Sequence, residues 1–449
     1  MIRLAYRLYR VASAARHWLA RRLTPAGWLA LTGLVVSGAI GVDLDQSVAA
    51  QAFAVLLCLL AVARLAALLF RGRFSAERLL PRLGSVGQPL VYRVRVRNHG
   101  ARTWRDLELL EDLADPRPTL AQFREMTQTT SRGRSFRLTS RRASRPEHRA
   151  AVCKPVPLPV LAPNGAAEAQ VEVLPLRRGP LRFEGLTIAR CDPFGLLRGF
   201  VSLRSPQTVL ILPRRYPLPP VALPGTYQYQ LGGVTLAASV GESEEFVSLR
   251  DYRPGDPLRH LHWRSTARVG HPIVKEFENE FFVRHALVLD TFGGPEAIEV
   301  FEEAVSLAAS FACTVDAQES LLDVMFVGPQ AVCFTAGRGL AHAEQALEIL
   351  AAAQPCRTRP FSALQALVLQ HAPVVSGCIC ILLAWDAPRR ELIRKLAALG
   401  QPLLVWVVTD ADTAAQLTSQ AEHDRPPNFQ VFVAGRIEEG LHRLERPAA

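Results

Sequence analysis

The chain has 449 residues, 49% of them hydrophobic, and a formal net charge of +11. That length holds two or three domains. Residues 1–25 hold six Arg and no acid, and residues 121–150 hold eight Arg against Glu125 and Glu147. Each block carries about +6, so the remainder sums to about −1. A basic globular surface is thereby excluded, and nucleic-acid binding with it. The eight Cys form no C-x-x-C pair. That spacing excludes a Cys-based zinc site and predicts buried free thiols in a reducing compartment. Cys378 and Cys380 share one face of a predicted buried strand.

Two apolar stretches follow the basic N-terminus. Residues 26–42 carry no charge, and residues 48–70 carry only Arg64. Each reaches spanning length, the first at the lower limit. Arg16, Arg21 and Arg22 precede the first, Arg71 and Arg73 follow the second, and Asp43 and Asp45 lie between them. The positive-inside rule places both outer flanks in the cytoplasm and predicts a helical hairpin. Arg64 lies near the cytoplasmic end and reads as a topological, snorkelling residue. A cleaved signal peptide ending near 50–52 competes with this reading, but the acidic link and basic second flank fit the hairpin better.

Strand signals dominate from about 74 to 211. Residues 90–96 (LVYRVRV) alternate strictly and end at an Asn98-His99-Gly100 turn. Residues 171–176 and 181–188 are further strands, split at Gly179-Pro180. Short strands with turn signals predict a β-sandwich-like domain. Residues 126–149, rich in Arg, Ser and Thr, read as an exposed loop between strands. Contact with anionic lipid headgroups is the sharper alternative for that loop.

The segment 241–277 is densest in information. Residues 245–252 alternate as a strand, and Arg253-Pro254-Gly255-Asp256 forms a tight turn. Asp256 is a predicted N-cap, Pro257 a first helical residue and Gly270 a C-terminal stop. Leu258, Leu261 and His262 then share one face of a short helix, Trp263 anchors it in a core, and residues 272–277 are extended again.

The pattern Gly241, Glu245-Phe246, Leu249-Arg250-x-Tyr252-x-Pro254-Gly255-Asp256, Arg259, His262-Trp263, Ala267-Arg268 resembles the signature of a bacterial family, domain of unknown function 58. Arg178-Gly179 and Asp192-Pro193-Phe194-Gly195-Leu196 match further landmarks of it. The resemblance implies a membrane-anchored protein of the bacterial inner membrane, ending in a domain similar to the von Willebrand factor A fold. It also implies partnership with an AAA+ ATPase of the MoxR type.

Beyond 281 the residues themselves give alternating elements. Strands are predicted at 285–289, 321–327, 378–385 and 402–408, with helices at 295–313, 340–352 and 387–399. Residues 428–433 and 437–444 close the series. Alternation of this kind predicts a parallel sheet covered by helices on both faces.

Two groups of residues could carry function. Arg250, Arg253, Arg259, Arg264 and Arg268 with Glu244, Glu245, Asp251 and Asp256 read as a hydrogen-bonded charge network. A partner-binding surface of Arg250, Arg253, Asp256, Arg259, His262, Arg264 and Arg268 is the second reading. A catalytic centre using His260, His262, Asp256 and Glu245 is the third, and no nucleophile motif supports it.

The other group is Asp290, Thr291 and Asp386, at predicted carboxyl ends of strands, where such sheets bind ligands. The related cation-binding pattern is Asp-x-Ser-x-Ser, and here Phe292 and Gly294 stand at both Ser positions. A hard divalent cation needs several oxygens, so the expectation is a degenerate, metal-free site and no cofactor.

The sequence thus predicts four segments. Residues 1–73 are a basic N-terminus and two membrane helices. Residues 74–235 are the sandwich with its Arg-rich loop, 236–280 the signature, and 281–449 the α/β domain. The functional expectation is a non-enzymatic adaptor or scaffold with its body in the cytoplasm. A hydrolase centred on the signature, and anionic lipid or polymer binding through the loop, are the alternatives.

Overall fold

A computed structural model describes residues 2–40, 48–114, 120, 150–219, 246–256, 258–277, 283–294, 298–314, 320–336, 340–419 and 425–445. The Arg-rich loop 126–149, the acidic link 43–46, and Gly241, Glu244, Glu245 and Pro257 lie outside the described residues. The chain divides into two compact units, Met1–Arg214 and Arg215–Ala449.

The first unit begins with helices α1 (Ile2–Arg22), α2 (Pro25–Ile40) and α3 (Val48–Leu68). Of these, α3 is long and apolar enough to cross a membrane, and α2 is a shorter apolar helix of 16 residues. The predicted first span is thus shorter than its apolar stretch. Small residues bring the pair together: a Cβ on Gly33 would lie 3.3 Å from Leu56 Cδ1, and one on Gly38 3.1 Å from the Phe53 ring.

Two sheets form the sandwich. One has the order β1 (Phe74–Leu79), β3 (Leu90–Asn98), β7 (Ala166–Pro175), β5 (Ala151–Cys153). The other runs β2 (Leu83–Ser85), β9 (Arg198–Leu212), β8 (Gly179–Cys191), β4 (Leu107–Leu113), β6 (Val156–Leu158). Strict alternation in β3 buries Leu90, Tyr92, Val94 and Val96 and exposes the residues between them. Their partners across the core include Leu109, Phe183, Ile188 and Ile211. Gly179-Pro180 opens β8 instead of separating strands. One ion pair enters this core, Arg78 with Glu111. The Arg78 guanidinium donates from Nη2 to Glu111 Oε2 at 2.9 Å and to the Gly185 carbonyl at 2.9 Å. Tyr92 donates its hydroxyl to Glu111 Oε1 at 2.6 Å. Burial lifts the Glu111 pKa above its usual range, with the Tyr92 and Arg78 hydrogen bonds opposing that rise.

A single turn seats the apolar helices on the sandwich. Between β8 and β9, Asp192 accepts hydrogen bonds from the backbone N–H of Phe194 (3.1 Å), Leu196 (2.7 Å) and Leu197 (2.7 Å). Gly195 there has φ +69°, which favours glycine. Thr24 donates its hydroxyl to the Gly195 carbonyl at 2.6 Å and accepts Gly27 N–H at 3.0 Å, capping α2 with Pro25 at its first position. A Cβ on Gly27 would sit 2.1 Å from the Leu196 carbonyl oxygen. On the other side, a Cβ on Gly199 would sit 2.5 Å from the Ala67 carbonyl oxygen.

The second unit opens with a hairpin of β10 (Phe246–Asp251) and β11 (Ile273–Phe277), with α4 (Trp263–Val269) between them. A six-stranded sheet follows: β12 (Val283–Leu289), β13 (Ser320–Val327), β14 (Ala331–Ala336), β15 (Gly377–Leu382), β16 (Leu403–Thr409) and β17 (Phe429–Val433). Its order is β14-β13-β12-β15-β16-β17, parallel except at the β14 edge. The helices are α5 (Ile298–Thr314), α6 (Leu340–Ala352), α7 (Ser362–His371), α8 (Ala387–Ala398), α9 (Ala411–Ser419) and α10 (Ile437–Glu445).

Strand β14 and helices α7 and α9 are additions to the predicted series. All three are short, and β14 alternates at an exposed edge, where the apolar signal is weakest. Val288, Cys380 and Val405 pack with Leu364 and Val368 of α7 and Leu392 and Leu396 of α8. On the opposite face Trp406 meets Phe311 of α5, ring centroids 4.7 Å apart.

The thiols are all free, but they do not share one environment. Cys356, Cys378 and Cys380 are buried, whereas Cys58, Cys313 and Cys333 are exposed, so uniform burial is corrected.

Glu111→Ala would strand the Arg78 guanidinium in an apolar core. It should cost about 3–5 kcal/mol, as loss of one partner of a buried ion pair does. Chemical denaturation of the full chain in detergent checks this, and an unchanged midpoint would refute the pairing.

Candidate functional site

The signature forms a hairpin crossed by two short helical turns. β10 and β11 pair antiparallel, and Asp256 N–H donates to the Arg253 carbonyl at 3.0 Å, closing the predicted turn. Gly255 takes φ +109°. Gly270 is in the left-handed region at φ +82° and ends α4 as predicted.

The role of Asp256 differs from the predicted N-cap. A 3-10 turn (Leu258–His260) follows it, and α4 starts only at Trp263. The carboxylate instead grips the turn. Arg250 donates to it twice, Nη1 to Oδ2 at 2.7 Å and Nη2 to Oδ1 at 2.8 Å, and Arg253 N–H donates at 2.8 Å. These bonds stabilise the ionised form and hold its pKa down at about 2.

His262 occupies the N-cap position, and its Nδ1 lies 2.6 Å from Ser265 Oγ. The Arg259 Nε lies 3.2 Å from His260 Nε2, and His271 Nε2 lies 2.9 Å from Asp251 Oδ1. Arg264 and Arg268 form no ion pair among the described residues. Hydrogen bonds thus join Arg250, Arg253 and Asp256, and among the described residues no ion pair carries them on to Arg264 or Arg268.

Trp263 overturns its predicted core role. It is 70% exposed, and Leu258 (68%), Val269 (52%) and Leu249 (41%) are exposed in the same segment. The core reading failed because, among the described residues, no second layer covers the apolar side chains of a seven-residue helix lying on a two-stranded hairpin.

At the sheet, Asp290 follows β12, where the strand order reverses between β12 and β15. Its Oδ1 accepts Phe292 N–H at 2.8 Å and its Oδ2 accepts Leu383 N–H at 3.0 Å. Arg389 supplies the countercharge, Nε to Asp290 Oδ2 at 2.5 Å. Through Nη1 it also reaches Asp386 Oδ2 at 2.6 Å, and through Nη2 the Phe292 carbonyl at 2.7 Å. Asp386 caps α8 by accepting Arg389 N–H at 3.2 Å. Burial opposes the Arg389 charge, and Asp290 and Asp386 outweigh it, so its pKa is raised.

Asp290 and Asp386 are joined through Arg389, an arginine that sequence reasoning did not single out. Its signal was the spacing from Asp386 to Arg389 directly after an apolar strand. Thr291 is buried and donates its hydroxyl to the Val327 carbonyl, so it faces no ligand.

A divalent cation does not fit this arrangement. Both Asp290 oxygens are engaged, Phe292 turns its ring onto Phe361 (centroids 5.4 Å apart), and Gly294 offers no side-chain oxygen.

Removing the countercharge in Arg389→Met should leave Asp290 buried and unpaired and cost about 3–5 kcal/mol. Arg389→Lys should recover little, since one ammonium lacks the planar fork that reaches three acceptors. Thermal melts in the presence and absence of millimolar Mg²⁺ test both points. A wild-type melt raised by Mg²⁺ and insensitive to it in Asp290→Ala would restore a metal site.

The Asp256 pKa lies below its unfolded value of about 3.9, so the turn's ionic contribution is present above that value. It is lost as pH falls through about 2. Carboxyl ¹³C titration should show Asp256 still ionised at pH 3; a midpoint near 4 would refute the Arg250 clamp.

Comparison with known proteins matches part of this unit. The family described as "Protein of unknown function DUF58" matches residues 248–383, from the signature hairpin to the Asp290 edge of the sheet. Among curated proteins, "Uncharacterized protein YeaD" of Bacillus subtilis (strain 168) is 26% identical over 199 residues, 42% of this chain. The chain matches about half (47%) of that relative's length. Among solved structures, the CARDB domain of PF1109 from Pyrococcus furiosus gives a TM-score of 0.17 at 10% identity, covering 31% of this chain and 94% of its own. An exo β-N-acetylglucosaminidase from Vibrio harveyi gives 0.14 at 10% identity, covering 83% of this chain and 64% of its own. Scores this low carry no argument about fold or activity.

Proposed function

We propose that the chain is a non-enzymatic, membrane-anchored adaptor whose signature hairpin docks a partner protein. The observation that carries this reading is Trp263, 70% exposed beside exposed Leu258 and Val269. Exposed aromatic and Arg side chains on a small platform are the composition of an interaction hot spot. Arg264 and Arg268 on the same helix supply a charged rim. The Arg250–Asp256 clamp keeps the platform rigid, which lowers the ordering cost of association.

The partner is an AAA+ ATPase of the MoxR type, in a chaperone-like or envelope-related assembly. This part rests on family resemblance. The order β14-β13-β12-β15-β16-β17 with one antiparallel edge supports reading the sheet as von Willebrand factor A-like, with its ligand edge closed by Arg389. The apolar α3, paired with α2 and flanked by Arg, supports anchoring in the bacterial inner membrane as two spans with a cytoplasmic body.

A hydrolase is the second reading, favoured by the hydrogen bond between His262 and Ser265. Against it, the pair is the i, i+3 contact of a helix's first turn. Among the described residues no carboxylate is bonded to His262, as a triad would require.

The test uses the full chain in detergent or nanodiscs with a purified MoxR-type ATPase from the same cell. Trp263→Ala and Arg264→Glu should keep the parent melting temperature and lose tenfold or more in ATPase capture. Unchanged capture in both variants would remove the hairpin as the docking site. Stoichiometric labelling of Ser265 by a fluorophosphonate probe would replace the adaptor with the hydrolase.

A further inference from the structure

The N-terminal helix has no place in the functions considered so far. In α1 the apolar residues Leu4, Leu8, Val11 and Trp18 recur at helical spacing, and they are 65%, 64%, 69% and 48% exposed. The wheel groups them on one arc together with Ala15. Arg3 and Arg10 lie on a separate arc, roughly a quarter turn or more from the centre of the apolar one at 100° per residue, and Arg7 lies at the border between the two. The helix contains no acid. Such a helix lies in a membrane interface, with its apolar face among acyl chains and its cations at headgroup phosphates.

Where α1 ends strengthens the case. Leu23 bridges to Leu197, and α2 begins at Pro25, so α1 joins the apolar helices with no linker of its own. At that junction the Arg22 and Arg64 guanidiniums share the Trp18 ring, 5.2 Å and 5.8 Å from its centroid. Arg22 Nε and Arg64 Nη1 are buried atoms without a hydrogen-bond partner among the described residues. Two cations flanking one indole concentrate positive charge beside the apolar helix. Trp and Arg are the side chains that settle at headgroup level.

We propose that α1 is an interfacial helix that lies along the bilayer surface and binds anionic phospholipid headgroups. Its basic residues and the Arg22–Arg64 pair select negative charge, and its apolar stripe inserts below the phosphates. The proposal rests on the anchor reading, because α3 is what brings α1 to a membrane. Juxtamembrane Arg are drawn to an anionic surface, so loss of Arg3 and Arg7 should be measurable.

The experiment places an environment-sensitive fluorescent amino acid singly at positions 3, 4, 7, 8, 11 or 55 of the full chain. The chain is held in nanodiscs of phosphatidylcholine alone or mixed with phosphatidylglycerol. Brominated acyl chains should quench positions 4, 8, 11 and 55, and aqueous iodide should quench 3 and 7. Quenching at 8 in mixed discs should fall several-fold in Arg3→Gln/Arg7→Gln and change little in phosphatidylcholine alone. Positions 4, 8 and 11 open to iodide while 55 stays quenched by lipid would overturn the proposal and leave the anchor standing. Shielding of 4, 8 and 11 from both quenchers would show a protein cover, a second copy or a partner, and would also overturn it. Absence of lipid quenching at 55 would remove the anchor, and the interfacial helix with it.

Discussion

A charge taken out of water must find its opposite, and in this chain arginine repeatedly answers that requirement. Arg389 binds Asp290, Asp386 and the Phe292 carbonyl with one planar fork. It therefore fixes three segments at once: the end of β12, the start of α8 and the loop after Asp290. The position is the reversal point of the strand order, where open parallel sheets usually receive ligands. Filling it with a side chain of the same chain turns a place suited to binding into a structural joint. The same solution holds Arg78 against Glu111 within the sandwich and Arg284 against Asp323, whose carboxylate is fully buried.

The signature hairpin has the features of a rigid platform. Its turn is pinned by three bonds to one carboxylate, its helix ends at a glycine, and its tryptophan faces solvent. A tryptophan left exposed costs hydration free energy that burial against a partner would recover. The N-terminal helix likewise leaves apolar side chains exposed beside Arg residues.

The turn from Asp192 to Leu197 links these themes within the first unit. One carboxylate organises three backbone N–H groups, and the ordered carbonyls then receive Thr24. Gly27 and Gly199 exist where a side chain would collide with backbone oxygens of the opposite element. Hydrogen bonds and missing Cβ atoms thereby position the apolar helices on the β-domain, and Leu23, Ala63, Ala67, Leu196 and Leu197 form the apolar cluster at the junction.

Much of this was legible from residues alone. Alternation from Leu90 to Val96 specified β3 and its inward face, because a strand's side chains repeat every two residues. Fully apolar runs at Cys378 and Leu403 announced central parallel strands, and Gly270 announced the end of α4, since few other residues accept its backbone angles. Tertiary structure alone decided the rest. Trp263 looked like core because bulk predicts burial, but burial needs an opposing layer, and no sequence pattern says where a layer is missing. Asp256 looked like a cap because its spacing to a helix suited one, whereas Arg250, folded back across the turn, claimed both of its oxygens. Arg389 was not singled out, as one of several charged residues of a predicted helix. Only the folded sheet brings Asp290, 99 positions away in sequence, within its reach.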